Sequence, residues 1–363
     1  MGLVATSLQL TGFRSFGSFE MEPDPALTVL VGPNAVGKTN VIESLQLLTA
    51  AESFRKPQWS EVIRWGSAET VMVLIAEGGK RSLRTELRLN SAGKREYRVN
   101  GKIRRRVSDV AGILPCVLFT PDDLRLIKDS AEKRRSALDS LGAQLSPSYR
   151  ALRAEYERVV RQRNAALRSP GRDLEVIDAL TSRSVEVGAG FMAARMRLFL
   201  RLKPAMSELY ENLSHGETLE VTYLPSWGPA GEVLKEDEVA AQLSKAFEQR
   251  RLDELARGTT LVGPHRDDIV FEIDGRDARV YSSQGQQRTA TLAWKLAEVS
   301  VIKEVSGQSP LLLLDDVMSE LDEDRRHSLA SFVGGAAQTF MTTTNLGYFD
   351  KGLVERAKIV KLS

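Results

Sequence analysis

A phosphate-binding loop is the pattern with the clearest chemistry in this sequence. The segment VGPNAVGKTN at 31–40 contains G-x-x-x-x-G-K-T, with Gly32, Gly37, Lys38 and Thr39 at the fixed positions. Glycines let backbone N–H groups approach a phosphate chain, the lysine reaches its outer phosphates, and the threonine hydroxyl binds Mg²⁺. The loop therefore predicts a nucleoside triphosphate site, with ATP as the nucleotide and Mg²⁺ as the metal.

The residues on either side of this loop have the patterns that such a site requires. ALTVLVG before the loop is typical of a buried strand, and Val41, Leu45 and Leu48 after it lie along one stripe of a helix. An ordinary Gly-Pro turn is the alternative, and the strand and helix favour the phosphate loop. Asn34 and Asn40, in the loop and at the helix start, complete its expected nucleotide contacts.

A second pattern, which is acidic, is typical of the part of such a site that binds the metal. SPLLLLDDVMSELD at 309–322 is a four-leucine strand that ends in paired carboxylates. At the carboxyl end of a buried strand, Asp315 is expected to orient Mg²⁺, and Asp316 to act as the general base for the attacking water. The alternative is a helix cap, since aspartate is a good capping residue.

A third segment, YSSQGQQR at 281–288, has the features of an anion-binding helix start. Ser282 and Ser283 can cap a helix, and Gly285 allows close approach to its free N–H groups. Taken alone, the segment is a capped amphipathic helix.

Positive charge is concentrated in one part of the chain. Overall, 50 Lys and Arg balance 48 Asp and Glu, but 80–106 holds eleven basic residues against two glutamates, a local charge of +9. Turns at NSAGK and VNGK predict β-hairpins, so many of these side chains can share one sheet face. A solvated strand face is the alternative, and the density of charge favours a polyanion. The candidate contacts to such a polyanion are Arg81, Lys94, Arg95, Lys102, Arg104, Arg105 and Arg106.

Composition and the remaining reactive residues limit the other classes of function. At 363 residues and 42% hydrophobic, the chain can bury a real core, and no apolar run could span a membrane, so we expect a cytoplasmic protein. Cys116, the one cysteine, lies in an apolar run and excludes an internal disulfide. The three histidines lack metal-ligand spacing; His265 is expected to be structural, held by acids such as Asp267, with a functional contact as the alternative.

The order of patterns predicts an α/β fold with a helical insertion. Residues 1–120 and 260–363 are expected to form one ATPase domain, with a mixed sheet and flanking helices around the phosphate loop. Residues 121–259 are expected to form a mainly helical lobe, whose helices at 149–168 and beyond form a short antiparallel arm.

Together these motifs resemble the head domain of ABC-type ATPases of the SMC class. FRSF at 13–16, LFTPDDLRLI at 118–127, GPHRDDI at 263–269 and the short insertion are similar to the bacterial DNA-repair members of that class. The resemblance implies that two subunits pair face to face, and that the signature segment of one, SSQGQ at 282–286, meets the ATP held by the other. The residues that it adds to the nucleotide site are Ser282, Ser283, Gly285, Gln286 and Arg14.

The resemblance also implies a function. It is a DNA-binding clamp of recombinational repair, closed by ATP on single-stranded, duplex or junction DNA and released by weak ATP hydrolysis through Lys38, Asp315 and Asp316. The implied partners are two further proteins that assist recombinase loading. The implied processes are the DNA damage response and replication. Asp316 stands where the class usually has Glu, and Thr343 to Asn345 stand where many relatives have a switch histidine, so slow hydrolysis is expected. The alternatives are a transporter's nucleotide subunit and a non-hydrolysing scaffold switched by ATP.

Overall fold

The chain folds into two compact units in a computed structural model. The structure describes residues 2–106, 109–214, 216–228, 235–333, 335 and 337–363. One unit comprises residues 1–124 and 291–363, and the other comprises residues 125–290. Among the described residues, no helix has the length and apolar character needed to cross a lipid bilayer.

Parallel and antiparallel pairing are divided between two sheets in the first unit. A parallel sheet has the order β14-β3-β13-β12-β8, and an antiparallel sheet has the order β2-β1-β4-β5-β6-β7. The parallel strands are β3 (Leu27–Val31), β8 (Cys116–Phe119), β12 (Leu311–Asp315), β13 (Thr339–Thr343) and β14 (Lys358–Lys361). The antiparallel strands are β1 (Val4–Phe13), β2 (Phe16–Met21), β4 (Glu69–Gly78), β5 (Arg81–Asn90), β6 (Arg95–Val99) and β7 (Lys102–Arg104).

Helix α1 (Lys38–Thr49) lies in the core that joins these two sheets. Val41, Leu45 and Leu48 are buried on it, in one cluster with Leu10 of β1 and Leu313 of β12. Because burial of apolar surface is the main favourable term in folding, this cluster fixes the start of α1 against both sheets. The other helices of the unit are α2 (Trp59–Val62), α9 (Glu323–Val333) and α10 (Lys351–Arg356), with 3-10 turns at Pro121–Arg125, Val317–Glu320 and Leu346–Tyr348.

The second unit is mainly helical, with a small sheet. Its helices are α3 (Ala131–Leu145), α4 (Pro147–Arg168), α5 (Leu174–Leu213), α6 (Glu236–Arg257) and α7 (Ala278–Tyr281). Its strands are β9 (Leu219–Leu224), β10 (Asp268–Ile273) and β11 (Arg276–Asp277), in the order β11-β10-β9. Helix α8 (Gln284–Ser306) contains the division between the two units.

The boundaries of the second unit differ from those expected from the sequence. It extends to residue 290, past the expected end at 259, because β10 pairs along its length with β9. Residues 260–290 therefore belong with the helices that precede them. The expected helix at 149–168 is present as α4, and α5 is the second helix of the antiparallel pair.

Candidate nucleotide-binding site and signature segment

The phosphate loop joins β3 to α1, and its glycines are required by close contacts. A Cβ atom at Gly32 would lie 2.4 Å from the carbonyl oxygen of Leu362, and one at Gly37 would lie 2.7 Å from the ring of Phe16. Gly37 also has a φ of 113°, in the region that favours glycine. The loop is thus packed tightly enough that its backbone geometry depends on both glycines.

Lys38 and Thr39 follow the loop at the start of α1. Lys38 Nζ donates hydrogen bonds to the carbonyl oxygens of Gly32 and Pro33, at 2.6 and 2.7 Å, so its ammonium group lies over the loop. Thr39 Oγ1 donates to Asp315 Oδ1 at 2.9 Å. The threonine of the first motif and the first aspartate of the second therefore meet, although 276 positions separate them.

Asp315 is held by hydroxyl groups from two directions. Thr342 Oγ1 on β13 donates to Asp315 Oδ1 at 2.8 Å and accepts from the backbone N–H of Asp316 at 2.8 Å. Thr342 was absent from the residues predicted from the sequence. The sequence feature that could have indicated this contact is a threonine near the end of β13, since β13 is the parallel neighbour of β12. An anionic oxygen beside the Thr39 hydroxyl has the ligand chemistry that Mg²⁺ prefers.

Asp316 has an unusual environment for a surface-facing carboxylate. Its φ is 52°, in the left-handed region, and its Oδ1 is buried and lacks a hydrogen-bond partner among the described residues. Burial raises the pKa of Asp316, and the neighbouring charge of Asp315 raises it too, while Lys38 lowers it. Strained backbone and an unsatisfied carboxylate oxygen are typical of functional sites. The capping alternative receives no support, since the Asp316 side chain caps no helix.

Arg14 forms a bidentate ion pair with a buried glutamate that was not among the residues predicted from the sequence. Its Nε and Nη2 donate to the two carboxylate oxygens of Glu43 at 3.0 and 2.7 Å. Ser53 and Arg55 also donate to Glu43, which is fully buried on α1. A glutamate on the apolar side of a helix was the signal for this cluster. Arg14 thus braces α1 one turn after Thr39.

The two asparagines of the loop differ in their surroundings. Asn34 is exposed. Asn40 donates from Nδ2 to Ser15 Oγ at 3.0 Å and accepts from Arg55 at 2.7 Å. Asn40 therefore connects the start of α1 to the β1–β2 turn.

In the second unit, the signature segment forms a capping box at the start of α8. The backbone N–H of Gln286 donates to Ser283 Oγ at 3.1 Å, and Ser283 N–H donates to Gln286 Oε1 at 2.8 Å. Ser282 instead donates its hydroxyl to the carbonyl oxygen of Ala278, so the expectation that both serines cap the helix holds for Ser283 alone. Gln286 Nε2 also donates to Glu217 Oε1 at 2.9 Å, which fixes the segment to the connection between α5 and β9.

The segment from Thr343 to Asn345, where the resemblance leads one to expect a switch histidine, is held by local hydrogen bonds. Thr343 Oγ1 donates to the carbonyl oxygen of Asn345 at 2.9 Å, and Asn345 Oδ1 accepts from the N–H of Gly347 at 2.8 Å. These contacts fold the 3-10 turn that follows β13.

The basic residues at 80–106 form the predicted hairpins of β5, β6 and β7. On the outer face, Arg84 and Arg88 pair with Glu86 at 3.2 and 2.5 Å, and Arg98 pairs with Glu96 at 2.7 Å. Most of the charge in the middle of this face is therefore compensated. The remaining positive charge lies at the strand ends and turns, where Arg81, Lys94, Lys102, Arg105 and Arg106 are exposed.

His265 lies in a hydrogen-bonded cluster of the second unit, but its partners differ from the expected acids. Its Nδ1 is 2.7 Å from Tyr156 Oη, and its Nε2 is 3.2 Å from the carbonyl oxygen of Thr260. Asp267 instead accepts from Tyr223 Oη at 2.5 Å and from the N–H of Ser226 at 2.8 Å. The expected contact with acids was wrong because the GPHRDD turn directs His265 and Asp267 to different neighbours.

This environment gives a pH-dependent stability. Burial lowers the pKa of His265 from 6.5 to about 4, so the unfolded chain binds a proton more readily than the folded chain between these values. Stability is then complete above pH 6.5 and falls as the pH drops towards 4. We expect His265→Phe to remove about 2 kcal/mol of the difference in unfolding free energy between pH 7.5 and 5. Urea unfolding at both pH values measures it, and equal differences in the two proteins would contradict the assignment.

Comparison with known proteins identifies the class to which this site belongs. Residues 4–361 match the sequence model of the RecF/RecN/SMC N terminal domain family. The Smc head domain from Pyrococcus furiosus superposes with a TM-score of 0.56 at 15% identity, which shows a shared fold. The fold is that of an SMC-type ABC ATPase head, as predicted.

Closer relatives define the family within this class. The DNA replication and repair protein RecF of Halalkalibacterium halodurans is 37% identical over 361 residues, which is 98% of this chain and 96% of that protein. RecF of Synechocystis is 39% identical over 369 residues, or 98% and 95% of the two chains. A structure of the recombination mediator protein RecF with ATP, from the RecFOR pathway, has a TM-score of 0.87 at 30% identity, covering 96% of this chain and 94% of that one. This chain belongs to the RecF family.

Proposed function

We propose that this protein is an ATP-dependent DNA-binding clamp of recombinational repair. The observation that carries the proposal is the meeting of Thr39, Asp315 and Thr342, which brings the two phosphate-site motifs together. A RecF structure with ATP supports ATP as the ligand. Thr39 and Asp315 would hold Mg²⁺, which neutralises developing phosphate charge when it is bound.

Hydrolysis is assigned to residues with separate tasks. Backbone N–H groups at 32–39 and Lys38 bind the phosphates, and Asp316 accepts the proton of the attacking water. The unpaired Oδ1 of Asp316 supports this role, as does its raised pKa, since a better proton acceptor is a better base. These features favour a slow ATPase over a scaffold without turnover.

Closure of the clamp is assigned to a second copy of the chain. Val280 and Tyr281, directly before the signature segment, are 65% and 70% exposed. Exposed apolar residues beside an ordered polar segment are typical of a surface that binds another protein. Ser283, Gly285 and Gln286 of one copy would then contact the phosphates held by the other, and hydrolysis would remove that contact.

DNA, repair partners and location complete the proposal. The exposed cations at the ends of β5, β6 and β7 would bind DNA phosphates, on single strands or at duplex junctions. RecF relatives of the RecFOR pathway support RecO and RecR as partners in recombinase loading, with roles in replication and the SOS response. The protein would act in the cytoplasm. Membership of the RecF family argues against a transporter subunit.

The association state tests the clamp. We expect ATP with Mg²⁺ to convert the wild-type monomer into a dimer, measured by light scattering. Ser283→Arg should stay monomeric, because a long cation replaces the small residue that faces the partner's phosphates. Leu252→Arg, at an exposed site on α6, is the matched control and should dimerise as the wild type does. A wild type that remains monomeric with ATP on DNA would overturn the proposal.

A further inference from the structure

The turn that precedes β4 presents a fully exposed indole. Trp65 is 99% exposed, more than any other large apolar side chain among the described residues. Tryptophan is enriched among the residues that dominate binding energy at interfaces, so a fully exposed indole at a turn tip is a candidate binding contact.

The backbone holds this tip in a defined position. Arg64 N–H donates to the carbonyl oxygen of Gly12 at 2.8 Å, and Ser67 N–H donates to that of Arg64 at 2.9 Å. Gly66 has a φ of 81°, which a tight turn of this type requires. A ligand that contacts Trp65 therefore does not have to order the loop, which reduces the entropic cost of binding.

Basic residues lie on the segment that carries the tip and on the turn beside it. Glu69, at the start of β4, pairs with Asn90 at the end of β5, and Ser91 N–H donates to the carbonyl oxygen of Ala68 at 3.0 Å. The turn that carries Trp65 is therefore followed directly by residues that lie beside the β5–β6 turn. We call residues 55–69 and 90–95 together the Trp65 edge. It contains two glutamates and five basic residues, which are Arg55, Lys56, Arg64, Lys94 and Arg95.

Three of these cations, Lys56, Arg64 and Lys94, are exposed and have no carboxylate partner among the described residues, and the last two flank the turn tip. Arg95, by contrast, lies 4.3 Å over the ring of Trp59, a second aromatic residue of the edge. Aromatic rings interleaved with unpaired cations are the combination that binds single-stranded nucleic acid, where bases stack and phosphates pair.

We propose that Trp65 stacks on an unpaired DNA base while Arg64 and Lys94 bind the adjacent phosphates. The inference rests on the proposed DNA clamp and names a contact within it. Bases in a duplex are stacked on each other, so the indole can reach a base only where a strand is unpaired. The Trp65 edge would therefore distinguish single-stranded from duplex DNA, which the phosphate contacts alone cannot do.

Binding of the full chain with ATP to three fluorescent DNAs tests the contact. These are a thymidine oligonucleotide, an abasic strand of equal length, and a blunt duplex. We expect Trp65→Ala to weaken binding to the thymidine strand by about 5- to 100-fold and to leave the affinities for the abasic strand and the duplex unchanged. Trp65→Phe should keep most of the affinity for the thymidine strand, because it keeps an aromatic ring. Leu252→Ala, another exposed apolar truncation, is the control. Arg64→Ala should lower the dependence of log affinity on log salt by about one phosphate contact, and Trp65→Ala should not.

Each other result overturns the contact in a recognisable way. Equal affinities of wild type and Trp65→Ala for the thymidine strand would exclude base stacking and leave a protein partner as the user of the indole. An equal loss on the abasic strand would place the indole against the backbone instead. Failure of the wild type to bind any of the three DNAs would refute the clamp itself, and is seen before any variant is measured.

Discussion

Replacing Asp316 with asparagine should reduce steady-state ATP hydrolysis by about 10²- to 10⁴-fold, the range for loss of a general base. Asparagine has nearly the same shape and tolerates the left-handed backbone found at this position. It therefore removes the proton acceptor without moving the loop. Phosphate release measures the rate, and light scattering should show that the proposed ATP-bound dimer persists longer, because hydrolysis is proposed to release it.

The matched control for this change is Asp324→Asn, which makes the same substitution at an exposed site at the start of α9. It should hydrolyse ATP at the wild-type rate. An Asp316→Asn variant within threefold of the wild type would remove Asp316 from the mechanism. Because the pKa of Asp316 is raised, wild-type hydrolysis should also fall as the pH drops through that pKa, and the variant should lose this dependence.

Removing the charge of Arg195 should destabilise the helical unit by about 3–5 kcal/mol. Its guanidinium group is 2% exposed and binds both oxygens of Asp139, at 2.9 and 2.8 Å, and the carbonyl oxygen of Pro264 at 2.6 Å. Arg195→Leu leaves Asp139 buried with a hydrogen bond from Tyr149 and only a long ion pair with Arg153, at 4.0 Å. Hydrogen exchange of peptides from α4 and α5 under increasing urea measures the loss in this unit separately from the other.

Two further variants separate the buried pair from general damage. Arg251→Leu breaks an exposed ion pair with Asp178 in the same unit and should cost at most about 1 kcal/mol. The double variant with Asp139→Leu should recover part of the loss, since it removes the buried carboxylate that binds Arg195 most closely; Asp267, 3.8 Å from the lost guanidinium group, keeps the recovery incomplete. A cost below about 1 kcal/mol for Arg195→Leu alone would show that water or a shifted side chain compensates Asp139.

The sequence was sufficient for residues whose chemistry depends on short spacing. Gly32 to Thr39 could be placed on a strand–loop–helix unit because their geometry is local. Asp315 could be placed at the end of β12 because an apolar run that ends in acids indicates the end of a buried strand. The structure then joined the two motifs through the Thr39 hydroxyl, a contact that depends on strand order.

Contacts that depend on tertiary packing could not be predicted. Thr342 reaches Asp315 only because β13 lies beside β12. Glu43 binds Arg14 only because the turn after β1 lies next to α1. The domain boundary at 259 was placed too early because β10 follows a helix in sequence but pairs with β9 from the preceding lobe. The +9 charge of 80–106 is evident from the sequence, but the pairing of three arginines with Glu86 and Glu96 depends on the arrangement of β5 and β6.

Strand β7 carries part of this charge at the outer edge of the antiparallel sheet. An edge strand has unpaired backbone groups that can add a strand from another molecule, and lysine or arginine side chains discourage that pairing. Lys102 and Arg104 therefore also protect the sheet against self-association. The proposed clamp would concentrate along DNA with many copies of itself as neighbours, so the cations proposed to attract the polymer would also keep those copies from merging into a continuous sheet.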